Sequence, residues 1–79
     1  MTMNKVEALR IGREYCKGEI LQEECFFCKF ASPYPNFYQI IIHHEDDNQN
    51  IYKSTLHILP HNGVVIFWEK EIIQYGEVD

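Results

Sequence analysis

The chain has 79 residues, 46% of them hydrophobic, and its twelve acidic residues outnumber its seven basic ones to give a formal net charge of −5. This length predicts one small globular domain over residues 1–79, and the apolar content excludes an intrinsically disordered chain. The basic residues are scattered along the sequence, which disfavours direct nucleic-acid binding because nucleic-acid-binding proteins concentrate Lys and Arg on one surface.

The N-terminal segment has the pattern of an amphipathic helix. Asn4 is a suitable N-cap, and Glu7 follows at the three-residue spacing of a capping box. Apolar residues then recur at helical spacing, and Gly18 offers a left-handed end to the helix. Residues 19–24 fit either a second short helical piece or the approach to a strand, and the prolines within 32–36 predict a rigid, non-helical connector.

From Phe37 onward, β-branched and aromatic residues dominate. Residues 37–44, 51–58 and 64–68 are predicted strands, joined by a polar acidic turn and by a hairpin at Asn62-Gly63. Residues 69–75 fit a short C-terminal helix or an extension of the third strand. The predicted fold is therefore α+β, with an N-terminal helix followed by a three-stranded antiparallel meander and the option of a short C-terminal helix.

The predicted strands carry apolar side chains on both faces of the sheet. One helix can cover only one face, so the second face, on which alternation places Ile41, Ile66 and Trp68, is predicted to expose an apolar patch. Patches of this kind mark interfaces. We therefore expect this face to bind another protein and a second copy of the chain, giving a homo-oligomer, most simply a dimer.

The sequence also carries expectations about compartment. No apolar run reaches the roughly 18 residues of a membrane span, and the N-terminus has no apolar signal-peptide region. Three cysteines cannot all pair within one chain. A cytoplasmic protein without membrane contact is therefore expected.

One constellation has metal-ligand spacing. Cys25 and Cys28 form C-x₂-C, and His57 and His61 form H-x₃-H, the donor types and spacings of zinc sites. The 28 residues between the pairs exceed the roughly 12–15 of the classical zinc finger. Four such ligands would make a closed structural site, while the alternative is that the cysteines are core residues and the histidines lie at the surface.

The sequence contains no phosphate-binding glycine loop and no paired carboxylates on a shared face. We therefore predict a non-enzymatic binding protein, an inhibitor or adaptor that occupies the basic surface of a nucleic-acid-binding partner, as phage-type anti-defence inhibitors do. Its expected partner-binding residues are Glu45, Asp46, Asp47, Ile41, Ile66 and Trp68. The alternatives are a zinc-stabilised binding module and a small hydrolase that depends on cysteine and histidine.

Overall fold

The computed structural model of the chain describes residues 3–30 and 35–76. It contains one α-helix and four strands, which are α1 (Lys5–Glu14), β1 (Glu19–Cys28), β2 (Phe37–Glu45), β3 (Ile51–Ile58) and β4 (Val65–Gln74). All neighbouring strands are antiparallel, and their order in the sheet is that of the sequence. The predicted α+β class, with an N-terminal helix and an antiparallel sheet, is confirmed.

The helix begins where the capping pattern predicts. The side-chain oxygen of Asn4 accepts a hydrogen bond from the backbone N–H of Glu7 at 2.9 Å, which satisfies one of the amides left free at a helix start. The helix ends at Glu14, with Tyr15 as its C-cap. Gly12 faces the sheet, and a Cβ built there would lie 2.9 Å from Cγ2 of Ile40, so the absence of a side chain allows close contact between helix and sheet.

The sheet has four strands rather than three, which corrects the sequence prediction in two places. Residues 19–24 belong to the ten-residue strand β1 and not to a second helical piece. Residues 69–74 continue strand β4, so the predicted option of a short C-terminal helix is wrong. Pairing explains both results, since β1 and β4 each hydrogen-bond along a neighbour and tertiary pairing overrides helix propensity. The proline-rich connector falls mostly outside the described residues.

The two faces of the sheet differ in what covers them. We call the face against which α1 packs the helix face and the opposite one the open face. The core lies on the helix face, and its buried residues are Ala8, Cys16, Tyr38, Ile40, Ile42, Leu56 and Ile58. The helix packs on β1 and β2. Within the described ranges, no helix is long and apolar enough to cross a membrane.

The hairpin between β3 and β4 forms at the predicted Asn62-Gly63 pair. Gly63 has a φ of 72°, and the Asn62 side chain accepts a hydrogen bond from the N–H of Val64 at 3.0 Å. Just after this turn, Val65 pairs with Ile58 and Phe67 pairs with His57, so Ile66 is the extra residue of a β-bulge. The bulge shifts the alternation that the sequence predicts for this strand.

Gly18 generates a test of the fold. Its φ is 93°, and a Cβ at this position would lie 1.9 Å from the backbone oxygen of Glu45. We therefore expect Gly18→Ala to lower the free energy of unfolding by about 2 kcal/mol or more, from left-handed backbone strain and displacement of the β2 end. Urea denaturation followed by circular dichroism measures this loss. Lys17→Ala is the control because that side chain is exposed, and an equal loss in both variants would contradict the explanation.

Candidate protein-binding face

Strand register arranges the open face as a series of cross-strand rows, each running from β1 to β4. The first row is Phe26, Gln39, His57 and Phe67. The second row is Glu24, Ile41, Thr55 and Glu69. The third row is Gln22, His43, Lys53 and Glu71, and the last is Glu19, Glu45, Ile51 and Gln74. The face is therefore aromatic at one end and acidic at the other.

The aromatic end is built as a continuous row of rings. The ring of Phe30 stacks on Phe37 with centroids 5.3 Å apart, and Phe37 stacks on His57 at 4.2 Å. The His57 ring then contacts Phe67 at 4.7 Å. These ring contacts pack the row together laterally. Phe30 and Phe67 remain 51% and 42% exposed, so the row also presents aromatic surface to solvent.

His57 is a member of this aromatic row and not a free surface histidine. Its Nε2 lies 3.4 Å from the side-chain nitrogen of Gln39. Burial between the neighbouring rings lowers the pKa of His57 below its ordinary value. The imidazole is therefore predominantly neutral at pH 7, and the first cross-strand row of the open face carries no positive charge.

The acidic end concentrates charge of one sign. Its rows contain five carboxylates against a single lysine, Lys53, and the carboxylates are Glu19, Glu24, Glu45, Glu69 and Glu71. Glu19 and Glu45 lie directly opposite each other on neighbouring strands, an arrangement that is unfavourable for like charges. Among the described residues the only ion pair joins Arg13 and Glu23 on the helix face. A positive charge supplied from outside would relieve this repulsion.

The acidic hairpin between β2 and β3 is organised around one of its own carboxylates. Asp46 accepts hydrogen bonds from the backbone N–H groups of Asn48 at 2.9 Å and Asn50 at 3.0 Å, and from the hydroxyl of Tyr52 at 2.9 Å. Partial desolvation would raise the pKa of Asp46, but these hydrogen bonds outweigh it and the pKa is lowered. This carboxylate is committed to the loop.

The structure separates the six residues predicted to bind a partner. Ile41 and Glu45 lie on the open face, and Asp47 is exposed at the hairpin tip. Trp68 instead pairs with Leu56 and lies on the helix face, where its ring meets Tyr15 at a centroid distance of 5.5 Å. Ile66 occupies the bulge. The predicted apolar patch of Ile41, Ile66 and Trp68 on one face is therefore not formed.

The four predicted zinc ligands are not brought together either. Cys25 packs against the core on the helix face, whereas Cys28 pairs with Phe37 on the open face. His57 belongs to the aromatic row, and His61 is exposed in the following turn. Across residues 3–30 and 35–76 there is no group of three or more His, Cys, Asp or Glu side chains that could hold a metal ion. Zinc binding stays a prediction.

The surroundings of Cys16 and Cys25 do not favour nucleophilic cysteine chemistry. Burial raises the pKa of both Cys16 and Cys25, whereas a nucleophilic cysteine needs a lowered pKa. At the turn end of the sheet there is an open groove of about 380 Å³. Among residues 3–30 and 35–76, its lining is formed by Phe27, Pro35, Asn36, Leu59, Pro60 and His61, of which His61 is the one titratable side chain.

A buried polar pair, His44 and Ser54, lies on the helix face and was not among the predicted site residues. His44 is 1% exposed and Ser54 is fully buried. The Nδ1 of His44 lies 2.8 Å from the backbone oxygen of Lys17, and its Nε2 lies 2.8 Å from Oγ of Ser54. Nδ1 donates to the carbonyl, and in the neutral imidazole Nε2 then accepts from the serine hydroxyl. The alternation of β2 could have signalled the burial, because His44 follows Ile40 and Ile42 at a spacing of two.

Comparisons of the chain with protein-family models, with curated proteins and with solved structures found no match.

Asp46 predicts a specific pH dependence. Because its pKa is lowered in the folded state, its contribution to stability is present above the unfolded pKa of about 3.9 and is lost as pH falls through the folded pKa. We expect Asp46→Asn to be less stable than the parent at pH 7 and indistinguishable from it near pH 2, measured as urea midpoints. Asp47→Asn is the matched control and should change the midpoint little at either pH. A loss that persists at pH 2 would contradict the explanation.

The placement of the four candidate ligands also predicts the metal content. Zinc bound by thiolates and imidazoles requires ligand distances of about 2.0–2.3 Å, which Cys25 and Cys28 on opposite faces of one strand do not provide. We expect protein purified without added metal to contain far less than one zinc per chain by elemental analysis. About one zinc per chain, lost in Cys28→Ser, would establish the metal module instead.

Proposed function

We propose that the protein is a non-enzymatic binding protein whose open face occupies a basic surface of a protein partner, such as the nucleic-acid-binding groove of another protein. One observation carries the proposal: the open face joins a row of aromatic rings, exposed at Phe30 and Phe67, to five carboxylates with a single lysine among them. The role is that of an inhibitor or adaptor. A phage-type inhibitor of host defence is one instance of such a role.

The two ends of the open face contribute different things to such an interface. Exposed aromatic rings supply apolar area and are enriched at binding hot spots. The carboxylates attract a basic partner and orient it, which increases the association rate more than the final affinity. The opposed Glu19 and Glu45 make the binding of a basic partner more favourable, because a cation placed between them relieves their mutual repulsion.

The acidic hairpin has a narrower role than its composition suggests. The Asp46 carboxylate is saturated by hydrogen bonds within the loop. Asp47 and Glu45 remain as the hairpin carboxylates that a partner could contact, and Glu45 belongs to the last row of the open face. The proposed contact surface is therefore the acidic end of the sheet with the exposed side of the hairpin.

Charge also bears on self-association. In a symmetric face-to-face dimer through the open face, the acidic end would lie either on itself or on the aromatic end of the other copy. The first arrangement opposes like charges, and the second buries carboxylates against rings without cations. A basic partner fits this face better than a second copy does. The homo-oligomer expected from the sequence stays a proposal, and the solution mass from light scattering tests it.

Paired charge variants test the proposed function. The double variant Glu69→Gln with Glu71→Gln removes two carboxylates from the open face, while Glu7→Gln with Glu14→Gln removes two exposed ones from the helix. We expect the open-face variant to bind a partner captured from the host about tenfold more weakly, from roughly 0.7 kcal/mol per contact, and the helix variant to bind like the parent.

Two further measurements define the class of the partner. The purified partner should lose its nucleic acid when the parent protein is added, and its affinity for the protein should fall steeply with salt. Equal binding by both double variants, or simultaneous binding of nucleic acid and this protein, would refute the proposed function.

A further inference from the structure

We propose that the open face binds an extended segment that carries two arginines four residues apart, one at each edge of the sheet. This inference rests on the proposed function and names the chemistry of the partner. It comes from two matching pairs of side chains, Glu24 with Phe26 on β1 and Phe67 with Glu69 on β4.

The two pairs are equivalent positions on opposite edges of one surface. Phe26 and Phe67 are the ends of the first row, and Glu24 and Glu69 are the ends of the second. The two phenyl rings are 46% and 42% exposed, and both glutamates are exposed. Each edge of the open face therefore presents an accessible ring beside an accessible carboxylate, separated by two residues, or about 7 Å along the strand.

A ring next to a carboxylate is the chemistry that recognises arginine. The planar guanidinium can lie on the phenyl face and still direct N–H groups to the glutamate, whereas the lysine ammonium is a point charge without a stacking surface. At the β1 edge, the side-chain amide of Gln22 donates to Oε1 of Glu24 at 3.1 Å. That contact positions the carboxylate and leaves Oε2 available as an acceptor.

The width of the sheet sets the spacing between the two arginines. The pairs lie on the first and fourth strands, and three inter-strand steps of about 4.8 Å make about 14 Å. An extended chain covers about 3.4 Å per residue, so four residues span this distance. Alternation also places residues i and i+4 of an extended chain on the same side. In a helix the same two residues are only about 6 Å apart, which excludes a helical segment with this spacing.

The surface between the pairs suits an extended chain lying across the strands. Its floor is formed by half-buried residues of β2 and β3, which are Gln39, Ile41, Thr55 and His57. Predominantly neutral at pH 7, the His57 ring does not repel the arginine bound at Phe67. The floor carries no charge of its own, and the positive charges of the segment meet carboxylates only at its two ends.

Short synthetic peptides and the intact protein test this inference. The first peptide is acetyl-Gly-Arg-Ser-Gly-Ser-Arg-Gly-amide, with arginines four residues apart. The second has lysine at both positions, and the third has arginines three residues apart, which an extended chain points to opposite sides. Binding is followed by backbone-amide chemical shifts in NMR titrations at low salt. We expect the first peptide to bind about tenfold more tightly than either of the others and to shift amides of both β1 and β4.

Two protein variants separate the aromatic contribution from simple charge attraction. Phe67→Leu should reduce the affinity for the first peptide about threefold, half of the tenfold free-energy difference, because stacking on Phe26 remains. It should leave the affinity for the lysine peptide unaffected. Phe30→Leu is the matched control because this exposed ring belongs to the aromatic row but to neither pair, and it should bind like the parent. Retained β-sheet circular dichroism in both variants shows that the fold is intact.

Three results would overturn the inference. Equal binding of arginine and lysine peptides by the parent would leave only charge attraction. Equal binding of the two arginine peptides, with spacings of three and four residues, would contradict the proposed contact with both edges of the sheet. Amide shifts at the open face that depend on protein concentration without peptide would assign the face to a second copy. The first two results leave the proposed function in place because capture of a basic partner by the parent, and its loss in Glu69→Gln with Glu71→Gln, are measured independently.

Discussion

The single short helix is too small to cover one whole face of the four-stranded sheet. The ten residues of α1 give a rod of about 15 Å, whereas strands of eight to ten residues extend about 27–34 Å. The helix packs mainly on β1 and β2. Because α1 is too small, the open face and the β4 side of the helix face are left to contact solvent or a partner.

The sequence predicted well those parts of the fold where local pattern and final pairing agree. Strands β2 and β3 alternate and contain β-branched residues, and Asn4 and Asn62-Gly63 have local roles that do not depend on distant residues. It predicted the strand at 64–68, but it missed β1 as a strand and left residues 69–75 open between helix and strand. The glutamates in β1 and the Glu69-Lys70-Glu71 run in β4 resemble helix-forming sequence, and only pairing with β2 and β3 holds them extended.

For the candidate site, the sequence predicted an apolar second face and an acidic hairpin beside it. Of those residues, Ile41 and Glu45 lie on the open face. The bulge at Ile66 then moves Trp68 to the helix face, and a bulge leaves no periodic signal in the sequence. The aromatic row was also missed because Phe37, His57 and Phe67 lie on three different strands. Their contact arises from register alone.

The buried pair of His44 and Ser54 has a consequence for how the chain selects its native pairing. Slipping β2 by one residue against β3 would exchange the two faces of the strand. In most half-exposed sheets the loss of apolar burial penalises such an error, but here Phe37 and Ile41 would replace part of what Tyr38 and Ile40 contribute. His44 distinguishes the native from the slipped register more sharply than apolar burial does, because only the native register places the hydroxyl of Ser54 beside its Nε2. Two polar atoms thus help to define the alignment of strands that carry apolar side chains on both faces.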